Sequence, residues 1–572
     1  MDFWDPDRPN VVLLADHTDT LWMMKCNGIE RLASELRQAG YQVAMINHLH
    51  TFGYEELKYV LSHIINRNTL FVGISNFFYK DISNTSRGPD GELYYGWPEP
   101  GQFLPHGKHL NQDFKDFVHM QNPRCPIVMG GPATFDSEWN NLADYLVVGY
   151  ADRSVVNLAN HLHKGESLKF NHRSEHGPMV IRDYRADGLE FDSVKSVKRS
   201  YDGYLKGETL PIEIARGCIF KCKFCSYPFI GKKKFDYVRQ EDILLEEMSE
   251  NYDRYGITRY MFSDDTFNDT VQKIESIGNV VRQLPKPIQF WSYLRQDLLV
   301  LPGMVEGLYN IGLRSGQFGI ETLNKQAGKQ INKMSDRDRV MRNIELLVDY
   351  PRKQGHPLGR NYFNTHANLL VGLPGDSKGD IMDGLTWIQN HKNIPLSIMN
   401  YIAFRIENAK YNAFPSEIAK DPEKFGYTIT GETPFIRSWK SQYMTSEESN
   451  NLTEYCNDQL VSLPWYKVSG YYAFYGAGMG LDFDKLWALK FADFPWHDCF
   501  NAKEIRKREY KTLISQSFNI PMDVDWNFTK AQKSNIQDGH TAGRNMMHNF
   551  QYQKETSPEN SFDKKKTRQS NK

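Results

Sequence analysis

Short apolar runs and amphipathic stretches alternate along this chain in two successive series. The first series contains "NVVLLAD" (10–16), "YQVAMIN" (41–47), "LFVGIS" (70–75), "PIVMGGP" (126–132) and "DYLVVGY" (144–150). Each run has strand length and little polar alternation, as expected of strands covered on both faces. Between the first two, "GIERLASELRQAG" (28–40) puts Ile29, Leu32, Ala33 and Leu36 on one helical face and ends on Gly40, a residue suited to a C-cap. Five strands with helical connections predict a doubly wound parallel sheet over residues 1–165. The stretch 77–112, rich in Gly, Pro, Tyr and Asn, reads as a long inserted loop of the kind that often carries function. Residues 166–208 are polar, lack a sustained period and read as a connector.

The second series occupies 209–415. Its strands are "PIEIA" (211–215), "TRYMFS" (258–263), "PIQFWSYL" (287–294), "SGQFGIE" (315–321), "NTHANLLVG" (364–372) and "LSIMNYIAF" (396–404), with helical patterns such as "EDILLEEMSENYDRYG" between them. Six successive β/α units predict a partial (β/α)6 barrel of the TIM type. Residues 416–532 read as an α-rich region, dense in aromatics. Its "GAGMG" (476–480) follows no strand and reads as a turn. The polar stretch 533–572 predicts a disordered tail. The fold class is α/β throughout, with that α-rich region after the barrel.

Composition narrows the picture. A chain of 572 residues accommodates three or four units at roughly 150 residues each. Hydrophobic residues at 40% with 24% charged suit a globular protein. No apolar run approaches the roughly 18 residues of a membrane span, and "MDFWDPDRPN" lacks the basic region and apolar core of a secretory signal, so a cytoplasmic location is expected. Seven cysteines, an odd number, predict free thiols in a reducing compartment rather than a disulfide framework. With 69 basic and 70 acidic residues, net charge gives no argument for nucleic acid, although Lys232 to Lys234 and the terminal "KKKTR" form local basic runs.

The candidate chemistry lies in "IARGCIFKCKFCSYP" (214–228), where Cys218, Cys222 and Cys225 are spaced CxxxCxxC. A structural zinc site takes four ligands, and Cys26, Cys125, Cys456 and Cys499 are scattered far from these three. Three thiolates on a four-iron cluster leave one iron open to an exogenous ligand, which suits the spacing better. The loop also follows the first barrel strand at its C-terminal end, the face on which such barrels build active sites.

This segment resembles the cluster loop of the radical S-adenosylmethionine (radical SAM) enzymes, CxxxCxΦC with Φ aromatic, and Phe224 fills Φ. The resemblance implies that Cys218, Cys222 and Cys225 hold a 4Fe-4S cluster whose fourth iron chelates S-adenosylmethionine. An electron from a donor such as flavodoxin or ferredoxin would then release a deoxyadenosyl radical. Later segments are similar in order. "FSDDTFND" (262–269) offers Asp264 and Asp265 to the methionine moiety, with helix capping as the alternative. "FWSYLRQD" (290–297) offers Arg295 to a carboxylate, with a surface salt bridge as the alternative. "FGIET" (318–322) offers Glu321 to ribose or amino groups, and "LLVGLPGD" (369–376) offers Gly372 and Leu373 to adenine, where an ordinary strand-to-helix turn is the alternative.

The first domain resembles that of the cobalamin-binding subgroup. "MGGP" (129–132) supplies Gly130 and Gly131, "VVGYADRS" (147–154) supplies Gly149, and Ser75 ends the third strand, where such sheets bind ligands. The DxHxxG motif for a lower cobalt ligand is missing after the first strand. "HLHTFG" (48–53) has His50 and Gly53 at that spacing but His48 in place of Asp, and His17 stands alone. The resemblance implies a radical SAM enzyme acting on a small molecule or peptide, with cobalamin-dependent methyl transfer to carbon or phosphorus as one outcome. Without cobalamin it implies rearrangement, cyclisation or thiolation. The alternatives are an enzyme that modifies RNA or other nucleic acid, and a non-catalytic metal-binding scaffold.

Overall fold

The computed structural model describes residues 3–15, 23–52, 54–75, 112–131, 142–168, 171–173, 178–183, 191, 194–225, 237–333, 336–410, 415–432 and 436–521. His17, Lys232 to Lys234, the inserted loop up to residue 111 and the C-terminal tail lie outside these residues, as does the side chain of His50.

The first sheet contains β1 (Asn10–Leu14), β2 (Gln42–Ile46), β3 (Thr69–Ser75), β4 (Ile127–Gly130), β5 (Tyr145–Gly149), β6 (Asn171–Arg173) and β7 (Met179–Asp183), in the order β2-β1-β3-β4-β5-β7-β6. All neighbours are parallel except β6 and β7. The order reverses at β1/β3, and ligands bind such sheets at this kind of switch point. The stretch read as a connector is therefore corrected: its first part adds two strands to the sheet. Its last part, 194–208, is tied down by ions. Arg37, on the helix Asn27–Gln38, is paired with Asp202 at 2.5 Å and donates to Val197 O at 2.7 Å.

The second sheet contains β8 (Leu210–Glu213), β9 (Arg259–Ser263), β10 (Gln289–Leu294), β11 (Leu313–Glu321), β12 (Asn364–Val371) and β13 (Ile398–Ala403), all parallel in chain order. This is the partial barrel that the hydrophobic pattern implies. Phe262, Phe290, Phe318, Ala367 and Met399 point outward into one core shared with the surrounding helices. Alternation then directs Met261, Trp291, Tyr293, Gln317, His366, Asn368 and Asn400 to the lumen.

The C-terminal region is helix-rich, with the helices Ser446–Val461, Gly470–Gly478 and Trp496–Ser517. It also contributes to a small antiparallel sheet of β14 (Ile406–Glu407), β15 (Thr428–Glu432) and β16 (Ile436–Lys440), which the sequence pattern did not indicate. "GAGMG" is corrected in part, since Gly476 to Gly478 complete a helix and only the following residues turn, with Gly480 at φ +96°.

Two of these helices make long-range closures. Gly470–Gly478 seals the lumen where the barrel strands begin: Tyr471 lies 4.2 Å from Trp291, and Phe474 O accepts from Thr209 Oγ1 at 2.6 Å. A Cβ on Gly470 would stand 2.4 Å from Ser315 Oγ, so only glycine permits this approach. Trp496–Ser517 returns to the first sheet, where Tyr510, Ile514 and Phe518 complete its core and the Asn47 amide donates to Tyr510 Oη at 2.9 Å.

Candidate functional site

The three cysteines stand half-buried on the loop that leaves β8, at the C-terminal end of the barrel. The loop is anchored at both sides of Cys222. Lys223 N donates to Ile331 O at 3.0 Å, Asn332 Nδ2 donates to Lys221 O at 3.0 Å, and Ile418 N donates to Lys223 O at 3.1 Å. Hydrogen-bonding groups surround the sulfurs. Cys218 Sγ accepts from the Phe220 amide at 3.4 Å and lies 3.1 Å from Thr266 Oγ1, while Arg295 Nη1 is 3.5 Å from Cys222 Sγ. Burial raises the Cys218 thiol above its usual range, and these contacts oppose that effect by favouring thiolate. Three soft donors on one anchored loop fit a 4Fe-4S cluster, because each thiolate binds a different iron. Among the described residues no three His, Cys, Asp or Glu side chains are grouped to hold a single metal ion.

The other expected residues are placed unequally. Phe224 packs on the barrel core and lies 5.8 Å from Lys333 Nζ. Lys333 also binds Glu321 at 2.7 Å, so Glu321 is neutralised beside the loop. Glu321 has φ +71°, a conformation costly for a residue with a side chain, and its carboxylate folds over Gly319. Arg295 is held by Asp297 at 2.7 and 3.0 Å and lies 3.9 Å over the Phe220 ring, so its ion pair belongs to the site and not to an outer surface.

Asp264 is held by residues that follow it in the chain. Its carboxylate accepts from Lys273 Nζ and the Thr266 amide, both at 2.9 Å. It does not cap the next helix either, since Thr270 does. Asp265 is near enough to raise the pKa of Cys218, Tyr150 and Tyr293 through its charge. Gly372, at φ +97°, is at the expected strand end, but the space for a Cβ is filled by Trp439 at 2.6 Å. Leu373 is buried in the core. Thr266 was overlooked in the sequence, although it stands beside the two aspartates at the end of the second barrel strand.

A cavity of about 420 Å³ separates the two sheets. Ser75, Gly130, Gly131 and Gly149 line it from the C-terminal edge of the first sheet, and Pro211, Glu213, Met261 and Ser263 line it from β8 and β9. Gly131 and Gly149 have φ +113° and +98°, so bare backbone forms this rim. Among the described residues none of the lining side chains is a histidine. His48, with φ 55°, is buried against Tyr510 instead. One end of the cavity carries a buried ion cluster. Arg216 binds Asp152 at 2.8 Å and Glu213 at 2.9 Å, and Arg31 binds Asp152 at 3.0 Å. Arg216 lies two residues before Cys218, so this cluster joins the first domain to the root of the thiol loop.

The lumen has a second polar group. Tyr466 Oη donates to Asn400 Oδ1 at 2.7 Å, which leaves Asn400 Nδ2 to donate to His366 Nε2 at 2.9 Å. Burial pulls the imidazole down to about 4, against a weaker opposing effect of its side-chain hydrogen bond with Asn368. A histidine whose folded value is depressed contributes stability above its unfolded value of about 6.5, and that stability is lost as pH falls toward 4. The shift corresponds to about 3 kcal/mol. His366→Phe is therefore expected to flatten the acid-side decline of unfolding free energy between pH 6.5 and 4, measured by urea titration against the unaltered chain.

Residues 212–388 match the radical SAM superfamily. Bacteriochlorophyllide d C-12(1)-methyltransferase of Chlorobaculum tepidum is 27% identical over 192 residues, covering 33% of this chain and 39% of the relative. The match thus spans well under half of that relative's length. Among solved structures, the cobalamin-dependent S-adenosylmethionine radical enzyme OxsB, with aqua-cobalamin and S-adenosylmethionine bound, aligns over 97% of this chain and 82% of its own, with TM-score 0.57 and 12% identity. TsrM from Kitasatospora setae, with cobalamin and a [4Fe-4S] cluster bound, aligns over 88% of this chain and 100% of its own, with TM-score 0.53 and 14% identity. At these identities the likeness is one of fold, a sheet domain ahead of a barrel. The segment that matches the radical SAM superfamily begins within β8, takes in all three loop cysteines and runs on to the helix after β12.

Proposed function

We propose that the chain is a radical SAM methyltransferase that uses cobalamin and acts on a small molecule at an unactivated carbon or phosphorus. Cys218, Cys222 and Cys225 would hold the cluster. That group, when loaded with S-adenosylmethionine and reduced by a low-potential donor, supplies the cleavage that starts radical chemistry. The residues of this chain hold and shield it: Arg295 and the Phe220 amide donate toward the sulfurs, and the helix Gly470–Gly478 closes the lumen to water from below.

The observation that carries the cobalamin part is the cavity between the sheets. It lies at the strand ends where a doubly wound sheet binds its ligand, and β8 and β9 of the barrel line its other side. Its apolar walls and bare glycine rim fit the planar base and chain of a nucleotide tail. OxsB and TsrM, which share the fold, both bind cobalamin, which supports the same reading.

Anaerobic reconstitution with iron, sulfide, S-adenosylmethionine and a reductant, with and without cobalamin, tests it by mass spectrometry of the nucleosides. Deoxyadenosine is expected in both arms and S-adenosylhomocysteine only with cobalamin. Equal S-adenosylhomocysteine in both arms, or no retention of cobalamin on gel filtration, would reject the cobalamin reading.

A further inference from the structure

The guanidinium of Arg295 is built into the thiol site as a fixed charge. Its backbone is clamped by the fully buried side chain of Asn268, which donates to Arg295 O at 2.9 Å and accepts from Arg295 N at 2.8 Å. One edge of the guanidinium is given to Asp297, where Nε and Nη2 donate at 3.0 and 2.7 Å. Its face is covered by the ring of Phe220, a residue of the thiol loop, at 3.9 Å. The Nη1 edge is left for sulfur and meets Cys222 Sγ at 3.5 Å. A planar fork can hold a carboxylate and a thiolate at once in this way, which a lysine could not do in a fixed geometry.

The pair is a dipole with its positive end on a cluster thiol and its negative end behind. The two side chains are 11% and 17% exposed, so solvent screens them only weakly. The neighbouring cations Lys223 and Lys333 give their ammonium groups to Glu417 at 2.6 Å and Glu321 at 2.7 Å, whereas Arg295 has a second edge for Cys222. A guanidinium also stays charged in proteins. A four-iron cluster becomes more negative by one charge when it accepts an electron, and hydrogen bonds and positive charge at its sulfurs favour that state.

We propose that Arg295 raises the reduction potential of the cluster through its charge and its contact with Cys222, and that Asp297 is a positioning residue that holds the guanidinium there while offsetting part of its effect. The step concerned is the uptake of one electron by the oxidised cluster from a low-potential carrier, with no bond made or broken. This rests on the cluster part of the radical SAM reading and names the residues that tune its reduction.

The test is potentiometry of the reconstituted full chain followed by EPR, with dithionite and mediators and without S-adenosylmethionine, so that a contact between Arg295 and that molecule cannot enter. Arg295→Gln is expected to lower the ratio of reduced to oxidised cluster at a fixed potential about 10-fold, equal to about 59 mV for one electron. Asp297→Asn, whose carbonyl still accepts from Nε, is expected to raise that ratio about 3-fold by removing a negative charge. Shifts of opposite sign are a readout that a loosened loop would not give. Should Arg295→Gln lose its cluster, the direction of the Asp297→Asn shift decides. Unmoved potentials, or shifts of the same sign in both variants, would overturn the proposal. Iron and sulfide analysis of the unaltered chain tests the radical SAM reading separately: a chain that takes up neither rejects both, whereas a loaded cluster with unmoved potentials rejects the proposal alone.

Discussion

Cys225→Ala is expected to leave the fold intact and to reduce deoxyadenosine formation to background, at least about 10³-fold below the unaltered chain. The asymmetry follows from where the thiol stands. Cys225 is half-exposed at the end of the anchored loop, outside every core cluster, and its amide is satisfied by Cys222 O at 3.2 Å. The hydrophobic core clusters are built without its sulfur. The cluster does depend on it, because with two thiolates a second iron would be left to solvent and the inorganic core would be lost or rearranged. Iron and sulfide analysis, circular dichroism and nucleoside mass spectrometry together decide the matter. Full turnover in this variant would remove the basis for assigning the loop.

Lys273→Met is expected to destabilise the chain by about 3–5 kcal/mol, the usual cost of breaking a buried ion pair by removing one partner. Lys273 is fully buried and donates to Asp264 Oδ2 and Thr266 O, each at 2.9 Å, and pairs with Asp269 at 2.8 Å. Tyr237 Oη donates to Asp269 at 2.5 Å from the other side. Methionine preserves volume but leaves two carboxylates close together with no cation.

Those carboxylates would then hold protons more tightly folded than unfolded. Groups raised in this way favour the folded state below their unfolded values, near 4, and that contribution is lost as pH rises. The penalty should therefore be larger at pH 8 than at pH 5 in paired urea titrations. A penalty independent of pH would mean that the triad is not the source. Because Lys273 also fixes the carbonyl of Thr266, whose hydroxyl meets Cys218, loss of iron on reconstitution should accompany the loss of stability.

Much of the architecture was legible because parallel strands covered on both faces read as unbroken apolar runs. "PIQFWSYL" and "NTHANLLVG" bracket β10 and β12 within two residues. The elements that escaped lack that signature. β6 is three polar residues, Asn171, His172 and Arg173, recruited by pairing with β7, and most of β15 is exposed, so the small C-terminal sheet depends chiefly on Trp439 of β16. At the site, the cysteine spacing located the loop at the end of β8, whereas the partners of the acidic and basic residues were not readable.

Asp264 finds Lys273 only because the strand-end turn and the next helix fold the two together. His366 and Gln317 are 49 residues apart, and only the strand register makes them neighbours. Gly372 shows a third case: the sequence located the residue where the backbone must be bare, but the neighbour requiring it is the Trp439 indole, contributed by a strand nearly seventy positions later.

The return of Trp496–Ser517 to the first sheet has a consequence for how the molecule is built. The opening third of the polypeptide emerges from the ribosome first, yet its interior lacks Tyr510, Ile514 and Phe518 until the final stretch has been synthesised. Such distant pairings are slow to form, so the earliest-made layer waits longest for completion and needs protection from aggregation meanwhile. Biogenesis here resembles fastening a belt, with the buckle on the helix Trp496–Ser517 and its seat in the first sheet.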